Sequence, residues 1–581
     1  MATTTPRNRS ENRSTLRWQL RPVDSRRSDV LAGELGVAPI VARILDARGL
    51  SDPDAARLFL NPSLRQIHSP YDLLGMDQAV ERIGRAIRSG EKVWIWGDYD
   101  VDGITATAIL MLTIQELGCP ADYYIPHRVN EGYGLNPQAL EQLAGEGATL
   151  IVTVDCGISA MAEARLARKL GVDLIITDHH EPGTELPDCA AVINPKQPGC
   201  NYPCKAISGS GVAFKLAHAL LKSFHPDQDR AREFLKSLLD LVTLGTVADV
   251  VPLVGENRCL VSAGLERMRE APRLGIARLA DVARLPKAKI DTGSIGFVLG
   301  PRLNAAGRTE HAVFAVELLL TREEKRAREL AGKLDQFNEN RRAIESETLA
   351  EAMKLIEPYR QDQVLVVAQD GWHHGVLGIV ASRIQSIFYR PVIAISVDSD
   401  VAKGSGRSIA GFDLYDALCQ CGDCLEQYGG HRMAAGLSLA PDRIDRFREA
   451  INRHAGQVLT DDILTPAVDI DTEAEPAELT PEVVEQLAVM APHGIENPKP
   501  VVAIGGLRLV EEPRIMKEKH LKLFLAAPDG KPMAALGWNM VKRIRELDAG
   551  GPLRIAGTPI LNTWNGRTSV EIEMKDFQHQ A

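Results

Sequence analysis

The sequence predicts an α/β protein of several lobes: a parallel-sheet lobe, a long connecting helix, a second α/β lobe and a C-terminal all-β barrel. Three observations carry this. From Lys92 to about Val254, apolar runs of strand length alternate with helical stretches, the pattern of βαβ units and a parallel sheet. From Thr321 to Pro358, apolar residues recur at helical spacing without a break. The last hundred residues become short runs separated by turns such as Pro528-Asp529-Gly530. A chain of 581 residues has to divide in some such way, because single cores stop growing near ~250–300 residues.

Residues 1–74 read as a basic lead-in, with Arg7, Arg9, Arg13 and Arg17, followed by a helical segment. No apolar run follows those arginines, so they are not a secretory signal. Residues from about 38 to 90 read as helical, and Asp77 to Ile87 has helical apolar spacing. The parallel-sheet lobe takes 75–315. Its strands are the apolar runs ending at Gly97, Val154 and Thr177, with helical stretches such as Thr105–Leu117 and Met161–Leu170 between them.

The connecting helix takes 316–358. Thr321 and Glu324 have capping-box spacing. Leu330, Leu334, Phe337, Ile344 and Thr348 follow at spacings of three, four and seven, and Pro358 ends the run. Its length is about 50 Å at ~1.5 Å per residue. The second α/β lobe takes 359–460, with strands in Val364–Val367 and Val392–Ile395. From Asp461 to Glu482 there are three prolines, eight acidic residues and no Lys or Arg, as in a linker or domain entry. The barrel takes 461–581, with strands near Leu507–Val510, His520–Leu525, Ala534–Leu536 and Ser569–Ile572.

Charged residues make up 25% and hydrophobic ones 45%, as in ordinary globular proteins. The net charge of −10 excludes a uniformly basic nucleic-acid binder, so any contact with phosphates needs a local basic groove. No stretch approaches the ~20 apolar residues of a membrane span. Nine cysteines scattered over so long a chain fit a reducing cytoplasm rather than a disulfide framework. Cys419, Cys421 and Cys424 lack a second pair at zinc-finger spacing and read as small apolar fillers.

The chemistry collects where the apolar runs stop. The run ending at Gly97 leads into Asp98-Tyr99-Asp100-Val101-Asp102-Gly103, the next into Asp155-Cys156-Gly157, and the third into Asp178-His179-His180. Asp249 follows the run Leu241–Val247. Open α/β sheets bind ligands at the carboxyl ends of their strands. One Asp-x-Asp-Gly is usually a turn with solvated carboxylates, and one His-His pair is usually a satisfied hydrogen-bonding pair. Four such clusters in one βαβ array read as parts of a single site. Two divalent cations need a bridging carboxylate and terminal ligands on both sides. Asp98, Asp100 and Asp102 supply carboxylates from one loop, Asp155 can bridge, and His179 with Asp249 completes the set. Carboxylates with one or two imidazoles favour Mn²⁺ or Mg²⁺ over thiolate-bound zinc.

In the second lobe, Ser405-Gly406-Arg407-Ser408 joins a flexible backbone to two hydroxyls and a guanidinium. Gly429-Gly430-His431 adds open backbone N–H groups and an imidazole. Together they suit a terminal-phosphate pocket; the bland alternative is a pair of tight turns. Arg302, Arg308, Lys403, Arg407 and Arg432 can line a channel for a polyanion, or be scattered surface charges. Gly209-Ser210-Gly211 lacks a full dinucleotide fingerprint and reads as close helix packing.

These residues resemble the four motifs of the DHH phosphoesterase superfamily: Asp98–Gly103, Val154–Gly157, Asp178–His180 and Gly245–Pro252. Gly371–Arg383, which contains His374, together with Ser405–Ser408 and Gly429–Gly436 resembles the DHH-associated domain. Arg302-Leu303-Asn304-Ala305-Ala306-Gly307-Arg308 is similar to the connecting motif of the superfamily's single-strand-specific exonucleases. The resemblance spans roughly residues 75 to 575. It implies a 5′→3′ exonuclease on single-stranded DNA in repair and recombination, with an OB fold as the last domain. It implies two Mn²⁺ or Mg²⁺ ions on Asp98, Asp100, Asp102, Asp155, His179 and Asp249. His180 would lie behind the ligands or contact the scissile phosphate, so His179, His180 and Asp155 carry the catalysis. Substrate would meet Arg302, Asn304, Arg308, His374, Ser405, Arg407, Ser408, Gly430 and His431. A single-stranded-DNA-binding protein and a helicase are the implied partners. Two other readings stay open: a phosphodiesterase for short oligonucleotides or small nucleotides, and a non-catalytic DNA-binding replication scaffold. The C-terminal β-domain and long helix weigh against the first, and the intact ligand set against the second.

Overall fold

Apolar runs as continuous as these leave no face for water, so the strands have to pair side by side and be covered on both faces. The computed structural model, which describes residues 16–128, 131–398 and 400–580, shows this arrangement. Arg7, Arg9 and Arg13 lie outside the described residues. The chain forms two compact units. The larger comprises residues 62–459 with 492–497; the other comprises the N-terminal residues up to 61 with 460–491 and 498–581.

In the larger unit, β1 (Val93–Trp96), β2 (Ala121–Tyr124), β3 (Leu150–Val154), β4 (Asp173–Thr177) and β5 (Ala191–Ile193) form a wholly parallel sheet in the order β2-β1-β3-β4-β5. Trp96 sits opposite Thr153, and Val154 opposite Thr177. This register brings the ends of β1, β3 and β4 to one edge, so the acidic segments that follow them emerge together. Three helices pack against one another on this sheet: α1 (Val101–Glu116), α2 (Gly209–Phe224) and α3 (Leu239–Ala248). Residues 101–114 of α1 are all buried, as in a helix enclosed on every side. The run before Asp249 is therefore a helix, and Asp249 is its C-cap.

A helical stretch leads out of the lobe: Thr292–Ser294, a π-helical turn at Ile295–Leu299, and α4 (Gly300–Thr309). The long helix α5 (Glu324–Ile356) has 33 residues, about 50 Å at ~1.5 Å per residue. The capping box expected at Thr321 and Glu324 does not form. Glu323 is the N-cap, Thr321 Oγ1 accepts from Glu323 N at 3.2 Å, and the Glu324 carboxylate is drawn instead to Arg278 and Arg328. Beyond it lies a mixed sheet of β6 (Leu365–Asp370), β7 (Val392–Val397), β8 (Ala402–Arg407), β9 (Gln427–His431) and β10 (Ala434–Leu439), ordered β9-β10-β8-β7-β6. Only β6 and β7 are parallel, joined through α6 (His374–Phe388). Cys421 and Cys424 are buried fillers, as expected; Cys419 is exposed.

In the other unit, strands Val502–Leu509, Leu553–Trp564, Arg567–His579, Pro532–Gly537 and His520–Ala526 pair in that order. Arg508 opposite Ala526 closes the ring into a five-stranded barrel. Residues 1–74 do not stand apart from this barrel as expected: the described part up to Asn61 folds with it. Arg17–Leu20 pairs in parallel with Ala467–Ile470, and Leu31, Ile40 and Ile44 share one core with Ile504, Leu523 and Ile555. The acidic stretch read as a linker is structured for the same reason: Asp471 takes both guanidinium arms of buried Arg48 at 2.9 Å, and Glu478 pairs with Arg43. Its missing basic residues are supplied from the N-terminal segment. Among the described residues no helix is long and apolar enough to cross a membrane.

Candidate active site

Each acidic cluster is held by the element that follows its strand. Asp100 is the N-cap of α1, its Oδ1 accepting from Asp102 N at 2.9 Å and Gly103 N at 3.1 Å. Asp102 therefore stands on the first helical turn rather than in extended backbone. Gly103 is needed for clearance, not for its φ: a Cβ there would lie 2.6 Å from Asp98 Cβ. Asp102 is gripped at the N-terminus of α2, where Gly209 N donates to Oδ2 at 2.6 Å and Ser210 N to Oδ1 at 2.8 Å, the arrangement by which helix N-termini hold anions. Asp155 has φ 60°, and Val250, next to Asp249, has φ 63°. Left-handed backbone is costly for such residues and clusters at functional sites.

The side chains converge. His179 Nε2 lies 3.1 Å from Asp155 Oδ1, 3.6 Å from Asp249 Oδ2 and 3.8 Å from Asp102 Oδ2. Asp98, Asp100 and Asp155 bring ligand atoms within 4.8 Å of one another, and so do Asp102, His179 and Asp249. Asp155 touches both groups, as a bridging ligand would. Asp155 with His179 and His180 forms a third such cluster. Asp98 Oδ1, Asp155 Oδ1, His179 Nε2 and Asp249 Oδ2 are buried and make no hydrogen bond. Buried polar atoms almost always find partners. Four orphans facing one another, all oxygen or imidazole nitrogen, fit divalent cations of the Mn²⁺ or Mg²⁺ kind.

The electrostatics agree. Burial, followed by repulsion from Asp100, pushes Asp102 up to about 6; burial, then Asp102 and Asp100, pushes Asp249 up to about 9. Asp98 and Asp155 rise for the same two reasons. Burial drives His179 down to about 3, leaving the neutral imidazole that a metal requires. These carboxylates are charged in the unfolded chain above about pH 4. The metal-free fold therefore loses stability as pH rises from about 4, Asp102 contributing up to about 6 and Asp249 up to about 9. Cations remove that repulsion and no longer compete with protons at high pH. The rise in thermal midpoint on adding Mn²⁺ is expected to be larger at pH 8.5 than at pH 6, read by differential scanning calorimetry; equal increments at both would remove these carboxylates as ligands.

Asp178 does not face the cluster. It accepts from Ile158 N, His179 N, His180 N and, at 2.7 Å, His180 Nδ1. Burial opposes charge on His180, but the Asp178 hydrogen bond and charge outweigh it and raise the pKa. Tyr133 donates to Asp155 O at 3.0 Å and lies 3.3 Å from His180 Nδ1.

A second charged cluster gathers guanidiniums, of which Arg341 is paired with Glu345. Arg308 is pushed down to about 10 by burial and then by Arg128, Arg341 and Arg407; Arg407 is lowered by burial and Arg128. Arg308 donates to Gly375 O, Arg407 Nη1 reaches Ser405 Oγ at 3.2 Å and Gly406 O at 2.7 Å, and Arg128 stacks over Tyr99. Repelling guanidiniums held in place this way suit a phosphate. Of the expected substrate contacts, Arg407, Ser405 and Arg308 belong here. Gly430 has φ 137° and lies close to Ala434 O, while His431 is exposed at the hairpin end. His374 Nε2 pairs with Asp398.

Three of the expected substrate contacts make hydrogen bonds within the fold. Arg302 is committed to Asp335 Oδ1 and Val298 O, both at 2.8 Å. Ser408 is buried and donates to Phe412 O. Asn304 accepts from Val101 N at 3.0 Å and so braces the aspartate loop. Arg128 and Tyr133 were missed, although their loop follows β2 at the same sheet edge as the others.

The DHH family N-terminal domain matches residues 92–246, the DHHA1 domain 361–457 and the RecJ OB domain 470–576. The single-stranded-DNA-specific exonuclease RecJ of Bacillus subtilis is 40% identical over 97% of this chain and 71% of its own. That of Escherichia coli is 38% identical over 92% and 95%. The chain belongs to the RecJ family. A crystal structure of Thermus thermophilus RecJ with Mn²⁺ superposes with a TM-score of 0.83 at 30% identity, covering 97% of this chain and 80% of that one; a second holds Mg²⁺, at TM-score 0.77 and 28% identity, covering 97% and 79%. These relatives bear out the expected fold, the all-β C-terminal domain as an OB domain, and the hard-cation preference read from the donor set.

Proposed function

We propose that this member of the RecJ family is a cytoplasmic exonuclease that hydrolyses single-stranded DNA from its 5′ end in repair and recombination. The observation that carries this is the set of orphaned donors on Asp98, Asp155, His179 and Asp249, in a chain whose relatives are single-strand-specific exonucleases. Asp98, Asp100, Asp102, Asp155, His179 and Asp249 would hold two cations, with Asp155 between them. Two such ions supply a hydroxide near neutral pH and neutralise charge on a phosphoryl oxygen during in-line displacement. His180, whose pKa Asp178 raises, would donate from its outer nitrogen to the scissile phosphate. Tyr133 fixes the backbone of Asp155 behind it. Arg128, Arg308 and Arg407 with Ser405 take the terminal phosphate. A single-stranded-DNA-binding protein and a helicase would deliver the substrate. The test is digestion with Mn²⁺ of strands labelled at either end, against a duplex and a dinucleotide. Release of label from the 5′ end of the single strand alone is expected; preference for the dinucleotide or the duplex would defeat the reading.

Arg407→Ala is expected to slow digestion of 5′-phosphorylated strands about tenfold or more, from loss of a charge-assisted hydrogen bond. Strands with a 5′-hydroxyl should lose much less. An equal effect on both would make Arg407 a general backbone contact.

A further inference from the structure

Among the described residues, the most exposed large apolar side chain is Phe297, at 81%. It sits on the π-helical turn, where Gly300 N bonds Ile295 O. Ile295 and Leu299 already anchor that turn in the core, so Phe297 adds nothing to packing there. Such turns are rare and frequently mark functional sites. The end of the turn abuts the end of α3: a Cβ on Gly300 would lie 3.8 Å from Ala248 Cβ. Two residues on, Val250 is 61% exposed in strained left-handed backbone. Two unrelated local costs thus fall beside Asp249. Phe297, Pro301, Asn304 and Arg308 recur at spacings of four, three and four, one stripe of a helix face. On that stripe Asn304 braces the aspartate loop and Arg308 belongs to the arginine cluster. Phe297 stands about 16 Å from Arg308 at ~1.5 Å of rise per residue, with the aspartate loop between them.

We infer that Phe297 is a stacking platform for a base of the incoming strand on the 3′ side of the scissile phosphate. This rests on the single-strand exonuclease reading. Only a single strand brings an unpaired base to such a surface, and an aromatic face accepts any base. The strand then runs from the arginines at its terminal phosphate, across the carboxylates, to the exposed ring. The test uses wild type, Phe297→Ala and Phe297→Trp with Mn²⁺ on 5′-phosphorylated strands carrying one abasic site, stepped through the first six positions. Phe297→Ala is expected to raise KM about tenfold or more on intact DNA with kcat little changed, in line with base–aromatic stacking. Phe297→Trp should stay near wild type, and both should keep the Mn²⁺-dependent rise in thermal midpoint. Wild type should pay a similar penalty for an abasic site at one position, and there Phe297→Ala should add nothing further. A loss spread evenly over all positions, or none, would overturn the inference and leave the apolar patch to a protein partner. A wild-type protein that cleaves no single strand would instead defeat the exonuclease reading.

Discussion

Asp155→Ala is expected to abolish hydrolysis, by several decades, while the protein stays folded and still holds a single strand. Asp155 belongs to one ligand group and lies 3.1 Å from His179 of the other, so its loss removes nucleophile activation and charge neutralisation together. Strand binding should persist because the arginines proposed to meet phosphate lie on other elements. The metal-free fold should not suffer. Asp155 is buried against Asp102, Asp100, Asp249 and Asp98, and removing it relieves that repulsion. The thermal midpoint without metal should therefore hold or rise, while the increment from Mn²⁺ collapses. Cleavage within tenfold of wild type at saturating Mn²⁺ would refute the assignment. A lower metal-free midpoint would show that Asp155 stabilises the fold and is not held there against it.

The ligands were legible because a parallel sheet leaves a strong trace. Continuous apolar runs mark strands buried on both faces, and register then carries whatever follows them to one edge. Asp98, Asp155 and His179 could be gathered from those runs alone. The helical context of Asp100, Asp102 and Asp249 was harder to see. A strand-length apolar run and an enclosed helix look alike, so the run before Asp249 gave no period with which to separate them. A polar side chain carries the same groups whether it faces substrate or backbone, so the sequence alone does not show that Asn304, Arg302 and Ser408 also bond within the fold. The pairing of residues 16–61 with the barrel left no local signal. The acidic stretch 461–482 shows only that it lacks cations, not that Arg43 and Arg48, some four hundred residues earlier, supply them.

Gly209 was read from sequence as close helix packing, and the structure turns that reading into a statement about catalysis. Replacing Gly by Ala in a helix ordinarily stabilises it by about 0.5–1 kcal/mol. By that rule alone Gly209→Ala should be harmless or helpful. Yet a Cβ at 209 would lie 2.5 Å from Asp155 Oδ1 and 2.7 Å from Asp155 Cβ, closer than real contacts allow. Either Asp155 swings away or the first turn of α2 retreats. Retreat draws Gly209 N and Ser210 N off the Asp102 carboxylate, so one route displaces Asp155 and the other frees a ligand of the His179 group. A misplacement of about 1 Å at a reacting centre costs about 10²-fold in rate. We expect Gly209→Ala to lower kcat/KM on single strands by about that factor and to weaken Mn²⁺ binding. Titration calorimetry with Mn²⁺ and steady-state digestion read the two effects separately. Activity within threefold of wild type would show that the sheet edge yields to a methyl group, and that the tight approach of α2 to Asp155 does not govern the ligand geometry.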